Sequence, residues 1–206
     1  MNHRKPKDQR ASIDWARKVL KDEHKYVILD TETTGLNDND EIIQIAITDL
    51  HGNSLVSEFI KPSKKKSINK TATQVHGIKM SMLKGAPTFS EISEPLKNAL
   101  KGKTVIAYNS DFDARMYSQT YKIAGGYKPW GMPKKWQCAM LQYSRFFGEW
   151  NEYRKSYKWQ KLSGGDHSAR GDCLATIELI KTMATTQKCK KWYEFWINKD
   201  SVPNYA

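Results

Sequence analysis

KYVILDTETTGL, residues 25–36, decides how this chain is read. Its opening, Tyr26-Val27-Ile28-Leu29, is a short apolar run of aromatic and branched side chains, the pattern of a strand buried on both faces. The run then delivers two carboxylates, Asp30 and Glu32, and turns at Gly35. Side chains two apart on a strand share a face, so both acids emerge together at its end. Like charges held that close repel unless a cation lies between them. The stretch therefore asks for a metal. Oxygen ligands favour a hard divalent ion such as Mg2+, with positions left to water or substrate phosphate, the arrangement of two-metal phosphoryl chemistry. A strand followed by an acid-bearing surface loop gives the same D-x-E pattern, so the other acids of the chain must decide.

The 206 residues suit one α/β domain with a full core. Lys and Arg number 34 against 22 Asp and Glu, a formal net charge of +12. An excess of that size points to nucleic acid or an anionic membrane surface. No apolar run reaches the length of a membrane span, and the charged N-terminus has no signal-peptide core, so a soluble, cytoplasmic protein with no membrane partner is expected. Cys138, Cys173 and Cys189 are odd in number and form no C-x-x-C. They fit a reducing compartment and small buried apolar roles better than a zinc site.

Outward from the opening strand, residues 1–10 read as a basic, flexible arm ahead of a single domain over 11–206. Ser12 is placed as the N-cap of a bracing helix to Lys21. Residues 41–49 and 55–60 read as two strands of an antiparallel hairpin. The basic loop 61–66 is either a solvated charge run or a contact for a phosphate backbone. A short helix is expected over 69–75. Thr88 and Glu91 suit a capping box before an apolar face of Phe89, Ile92, Leu96 and Leu100, which Pro95 should kink or delay. Residues 104–107 form a fourth strand, and Asp113 falls in the first turn of the helix that follows, at a sheet's carboxyl edge. Residues 125–161 are irregular apart from a helix over 138–147. They interleave Trp130, Trp136, Trp150 and Trp159 with cations, a mixture that packs a small layer or stacks bases. His167 and Asp172 close a glycine-rich loop before a helix whose Cys173, Ile177, Ile180 and Ala184 face the sheet. The aromatic tail, residues 190–197, reads as a last helix covering the sheet.

Asp30, Glu32, Asp113 and Asp172 thus stand at element boundaries, with His167 five residues before the last. In three segments, Leu29-Asp30-Thr-Glu32-Thr-Thr-Gly35-Leu36, Tyr108-Asn109-Ser-Asp-Phe112-Asp113 and His167-x-Ala169-x-x-Asp172, the chain resembles the DnaQ-like 3′–5′ exonucleases of the DEDDh type. Gln74-Val-His76-Gly77-Ile78 looks like a further segment of that family. Ser168 stands where a sister branch has tyrosine, and Trp136-x-Cys138-x-Met140 with Arg145 is similar to bacterial exonuclease X. Gln137-Cys138 departs from the Asp-Thr usual in that strand, and the connection from Trp159 to His167 is short.

The resemblance implies a ribonuclease H-like α/β fold: a mixed sheet of about five strands, the first three antiparallel, with helices on both faces. It implies two divalent ions, Mg2+ or Mn2+. Asp30, Glu32 and Asp172 would hold one, Asp30 would bridge to the second, and Asp113 would contribute directly or through water. His167 would take the proton of the attacking water. Thr31, Thr33, Leu36, His76 and Asn109 would line the pocket of the last nucleotide, and nucleoside 5′-monophosphates would leave stepwise from a 3′ end. The expected partner is a single-stranded 3′ end, DNA before RNA, in repair or proofreading. The alternatives are an exoribonuclease or oligoribonuclease, and an inactive nucleic-acid-binding module. Nothing in the sequence supports a protein partner or homodimer.

Overall fold

Tyr26-Val-Ile-Leu-Asp-Thr-Glu-Thr33 is one unbroken strand, β1, at the centre of a five-stranded sheet. The computed structural model describes residues 4–64, 67–126, 132–133 and 135–187. In chain order these form α1 (Arg4–Lys21), β1 (Tyr26–Thr33), β2 (Ile42–Thr48), β3 (Ser54–Phe59), α2 (Lys70–His76), α3 (Ser93–Leu100), β4 (Thr104–Ala107), α4 (Ser110–Ile123), β5 (Trp136–Cys138), α5 (Ala139–Phe147), β6 (Trp150–Asn151), β7 (Ser156–Tyr157) and α6 (Ala169–Thr185). Short 3-10 turns lie at Glu23–Lys25 and Met80–Leu83. The sheet order is β3-β2-β1-β4-β5. β1, β2 and β3 pair antiparallel, and β4 and β5 join parallel on the other side. This is the mixed sheet of the expected fold.

Alternation along β1 sorts the core into two layers. Val27 and Leu29 face a layer closed by Phe89, Ile92 and Leu96 around α3 and by Met116, Tyr117 and Tyr121 of α4. Ile28, with Ala46 and Ile106, faces the opposite layer of α1, α5 and α6, where Cys173, Ile177, Ile180 and Ala184 are all buried, as their spacing requires. Pro95 delays its helix rather than kinking it. α3 begins at Ser93, which puts Pro95 in the first turn, where its missing N–H costs no helical bond. Thr88 and Glu91 do bond reciprocally, the Thr88 N–H donating to Glu91 Oε2 at 2.7 Å, but they close the turn before that helix.

Two expectations need correction. The flexible arm over residues 1–10 is helical from residue 4, and Ser12 is not an N-cap but a fully buried mid-helix residue whose hydroxyl lies 3.2 Å from the Asp8 carbonyl. The cause is tertiary, since the helix is fixed along its length. Gln9 Nε2 donates to the Phe146 carbonyl at 3.0 Å, Trp15 Nε1 to Gln137 Oε1 at 2.7 Å, and Arg17 Nε to the Ala184 carbonyl at 2.9 Å. Docking of this kind outweighs a polar composition. The second correction concerns residues 150–157, which form a small antiparallel hairpin, β6–β7, within the stretch read as irregular. Of the tryptophans there, Trp136 packs edge-on against Tyr117, Trp150 packs on Tyr157, and Trp159 is exposed. Trp130, Lys65, Lys66, Lys134, Cys189 and the tail over 190–197 lie outside the described residues. Among those described, no helix is long and apolar enough to cross a membrane.

Ile177 joins α6 to both the sheet and α1. Ile177→Ala is expected to cost about 2–5 kcal/mol of unfolding free energy. Leu55→Ala, on the exposed side of β3, should stay within about 0.5 kcal/mol. Urea denaturation of the two variants measures both.

Candidate active site

β4 is shorter than β1, and that shortfall opens the site. β1 pairs with β4 only over Tyr26–Ile28, but with β2 from Ile28 to Thr33. Beyond Ile28 the β4-side edge of β1 is therefore free. The chain leaves β4, turns at Tyr108-Asn109, and starts α4 where the backbone carbonyl of Asn109 accepts the N–H groups of Phe112 and Asp113. Asp113 is thereby carried to that edge, buried, with its Oδ1 accepting the Thr31 hydroxyl at 2.8 Å. Thr31 points toward α4, so its neighbours Asp30 and Glu32 point to the other face, toward α6. The pairing register slips by one residue between Glu32 and Thr33, a device that re-aims side chains at a strand end.

Asp172 is set by a tightly tied loop. Asp166 Oδ1 accepts the N–H and hydroxyl of Ser168 at 3.0 and 2.7 Å, and Ser168 in turn caps α6 by accepting the Gly171 N–H at 3.1 Å. Asp172 Oδ1 accepts the backbone N–H groups of Asp166 and His167 at 3.1 and 3.2 Å. Two glycines are dictated by crowding here. A Cβ at Gly165 would sit 2.5 Å from Asp172 Oδ1, and one at Gly171 2.0 Å from Asp166 Oδ1. His167 has φ +59, a left-handed conformation that costs a non-glycine residue about 1 kcal/mol. The bond from its own N–H to Asp172 is what holds it there. Gln44, directly across the ladder from Glu32, accepts the Ala169 N–H at 3.1 Å and so draws the start of α6 onto the sheet.

As a result Asp30, Glu32 and Asp172 bring ligand oxygens within 4.8 Å of one another. Asp113 is not part of that tight group but acts on it through its charge. Burial, then Asp113, Glu32 and Asp172, push the Asp30 carboxyl well above the usual range. Burial and the charges of Asp172, Asp113 and Asp166 raise Glu32 to about 8. Burial raises Asp113 to about 7 against the opposing hydrogen bond from Thr31. Asp172 is also raised by burial, with the His167 N–H working the other way. Without counter-charge these groups resist ionisation together. The donor set is all oxygen and crowded with negative charge, which suits a hard divalent cation.

The remaining expected residues sit on or next to the elements that carry the acids. His167 is exposed; its backbone, not its ring, bonds Asp172. Thr33 is buried and donates to the Gly35 carbonyl at 2.8 Å. Leu36 is 71% exposed on a loop held firmly at its base. There Asp40 accepts the Thr34 hydroxyl at 2.7 Å and the Asn37 N–H at 2.8 Å, and Gln119 of α4 donates to the Asn37 and Asp40 carbonyls. His76 Nδ1 accepts the Ile78 N–H at 3.0 Å, which leaves Nε2–H to face the Thr33 carbonyl at 3.2 Å. Burial lowers its pKa, so it is a neutral strut from α2 to the strand end. Asn109 is half-buried at the mouth of α4, its side chain making no capping bond.

Gln44, Gly165 and Asp166 were not picked out from the sequence. Gln44 had a signal, as the only polar side chain inside Ile42-Ile43-Gln44-Ile45-Ala46-Ile47. The two loop residues had none short of the fold. Gln137, noted as a departure, has its explanation in the bond from Trp15 of α1.

The RNase_T exonuclease family model matches residues 27–180, and the chain belongs to that family. It is 33% identical over 184 residues to the uncharacterized exonuclease CP81 of Escherichia phage 186, covering 82% of this chain and 92% of that one. Its fold is similar to the nuclease domain of 3′hExo, a DEDDh family member, bound to rAMP. There the TM-score is 0.57 and the identity 16%, over 77% of this chain and 90% of that one. E. coli exonuclease I in complex with a dT13 oligonucleotide superposes with TM-score 0.61 and 16% identity, over 84% of this chain and 43% of that one. The chain is thus a DnaQ-like exonuclease with a ribonuclease H-like fold.

Glu32 binds a proton more readily folded than unfolded across the window from its ordinary 4.5 to about 8. Stability of the cation-free protein is therefore greatest at the acid end of that window and falls as pH rises through it. The melting temperature of EDTA-treated protein should drop between pH 4.5 and about 8, and drop less in Glu32→Gln. Added Mg2+ or Mn2+ should recover it at the alkaline end, because a ligand of the folded state stabilises that state. Differential scanning fluorimetry reads all three.

Proposed function

We propose that this protein is a metal-dependent 3′–5′ exonuclease that removes nucleoside 5′-monophosphates from single-stranded 3′ ends, DNA before RNA. The observation that carries the reading is the convergence of Asp30, Glu32 and Asp172 within 4.8 Å, from a strand and a helix far apart in sequence. Asp30, Glu32 and Asp172 would hold one divalent ion, Mg2+ or Mn2+, and Asp30 and Asp113, the latter directly or through water, would hold a second. Such ions lower the pKa of bound water and stabilise charge on the leaving oxygen. His167 accepts the proton of the water that attacks the terminal phosphorus. The bond to the 3′ oxygen of the preceding nucleotide breaks, and that oxygen takes a proton from solvent.

The rest of the pocket positions the last nucleotide. Leu36 offers an exposed apolar surface to its base from a fixed loop. Asn109 has an amide free of helix capping for sugar or phosphate, and the Thr31–Asp113 bond holds the fourth acid in place. Thr33 and His76 brace the floor. The net charge of +12 favours any polyanion and does not select between nucleic acids. DNA is supported by the similarity to exonuclease I with dT13, and an RNA end by that to 3′hExo with rAMP.

End-labelled DNA and RNA oligomers of matched sequence, single- and double-stranded, should be shortened stepwise from the 3′ end in Mg2+ or Mn2+, with mononucleotide as product. Salt-sensitive binding without release of mononucleotide would make the protein a binding module instead. Asp30→Asn and Asp172→Asn should each lower kcat at least about 1000-fold, and His167→Ala about 100- to 10,000-fold. Gel assays of turnover, with oligomer binding measured alongside, separate loss of chemistry from loss of fold.

A further inference from the structure

The connection between α5 and α6 holds two of the most exposed rings among the described residues, Tyr153 at 95% and Trp159 at 69%. The segment that carries them is anchored. Trp150 and Tyr157 pack edge-on across β6–β7 with centroids 5.1 Å apart, and the Tyr157 hydroxyl donates to Asp8 of α1 at 2.7 Å. The Lys158 N–H closes the hairpin base on the Glu149 carbonyl at 2.8 Å. One residue past Trp159, the Gln160 carbonyl accepts the Tyr108 hydroxyl at 2.5 Å. Tyr108 is the first residue beyond β4, on the turn that delivers Asn109 and Asp113. On the other side, Leu162 lies 3.5 Å from where a Cβ at Gly165 would stand, beside the glycine that leaves room for Asp172. Trp159 is thus one Cα step, about 3.8 Å, from the point where this segment is pinned to the carboxyl end of the sheet.

Its indole packs into none of the three core clusters and faces water on a segment tied to the first residue beyond β4. Near it in sequence, Lys155 and Lys158 pair with Glu152 and Glu149, while Arg154 and Lys161 are exposed with no ion pair among the described residues. An exposed flat ring on a segment that also carries unpaired cations is what a single strand needs: a face for a base, and charge for its phosphates. Resting on the reading of the acids as the seat of a 3′ end, we propose that Trp159 is the stacking platform for a base on the 5′ side of the terminal nucleotide. Arg154 and Lys161 hold the adjoining phosphates. The strand then runs from the acids across Trp159 toward the tip of β6–β7, and the contact is indifferent to base identity.

Fluorescence anisotropy of labelled dT and rU oligomers in EDTA tests this without turnover. Trp159→Ala should weaken binding about 5- to 150-fold, and Trp159→Tyr should restore most of it. In an abasic scan, one position upstream of the 3′ nucleotide should weaken binding to the wild type but not to Trp159→Ala. A loss on dT alone, or on rU alone, would show that the contact reads the sugar and would overturn the base-stacking role. In turnover, the ratio of kcat/KM on an oligomer to that on p-nitrophenyl thymidine 5′-monophosphate, which has no upstream base, should fall in Trp159→Ala. Equal losses on both substrates, or unchanged oligomer affinity, would overturn the proposal. Should the wild type cleave neither substrate, the nuclease reading fails, and the binding and abasic measurements still decide the role of Trp159.

Discussion

Mutual repulsion among crowded, half-buried carboxylates is the constraint around which this protein is built. Asp30, Glu32 and Asp172 share a space in which Glu32 and Asp172 raise the pKa of Asp30 and Asp172 raises that of Glu32, and Asp113 adds to both from the side. A chain gains nothing in stability from such an arrangement, because removing carboxylates from water and crowding them are both unfavourable. It persists because the surroundings leave the groups no other position. Thr31 fixes Asp113, two backbone N–H groups fix Asp172, and the strand itself fixes the spacing of Asp30 and Glu32. The strained backbone of His167 belongs to the same economy, since its N–H is spent on Asp172.

The fold supplies that rigidity by making one strand longer than its neighbour. β1 continues beyond the end of β4, and the gap admits the first turn of α4 from one face and of α6 from the other. Polar side chains then do locally what the core does globally. Gln44 ties α6 to β2, Gln119 ties α4 to the loop after β1, and His76 ties α2 to the strand end.

Much of this was legible in the sequence, for identifiable reasons. The run Val27-Ile28-Leu29 could only be a buried strand, and period two then put Asp30 and Glu32 together whatever the rest of the chain did. Cys173, Ile177, Ile180 and Ala184 gave the inward face of α6 by spacing alone. What stayed hidden depends on contacts between distant segments. The N-terminal residues look too polar to fold, and only the docking of Gln9, Trp15 and Arg17 onto α5, β5 and α6 makes them helical. Likewise the hairpin at 150–157 has a two-pair ladder too short to signal itself, and it holds through Trp150, Tyr157 and a bond to Asp8 that no local pattern announces.

The placement of Asp113 and Asp172 on helices from opposite layers has a mechanical corollary. Two cations linked through Asp30, one held by Asp172 and the other by Asp113, would act as a rivet through the sheet, joining the half-cores on its two faces. Amide exchange in α4 and α6 would then slow in concert when the rivet is present and part company when it is withdrawn, so the reaction centre would also govern how the whole molecule breathes.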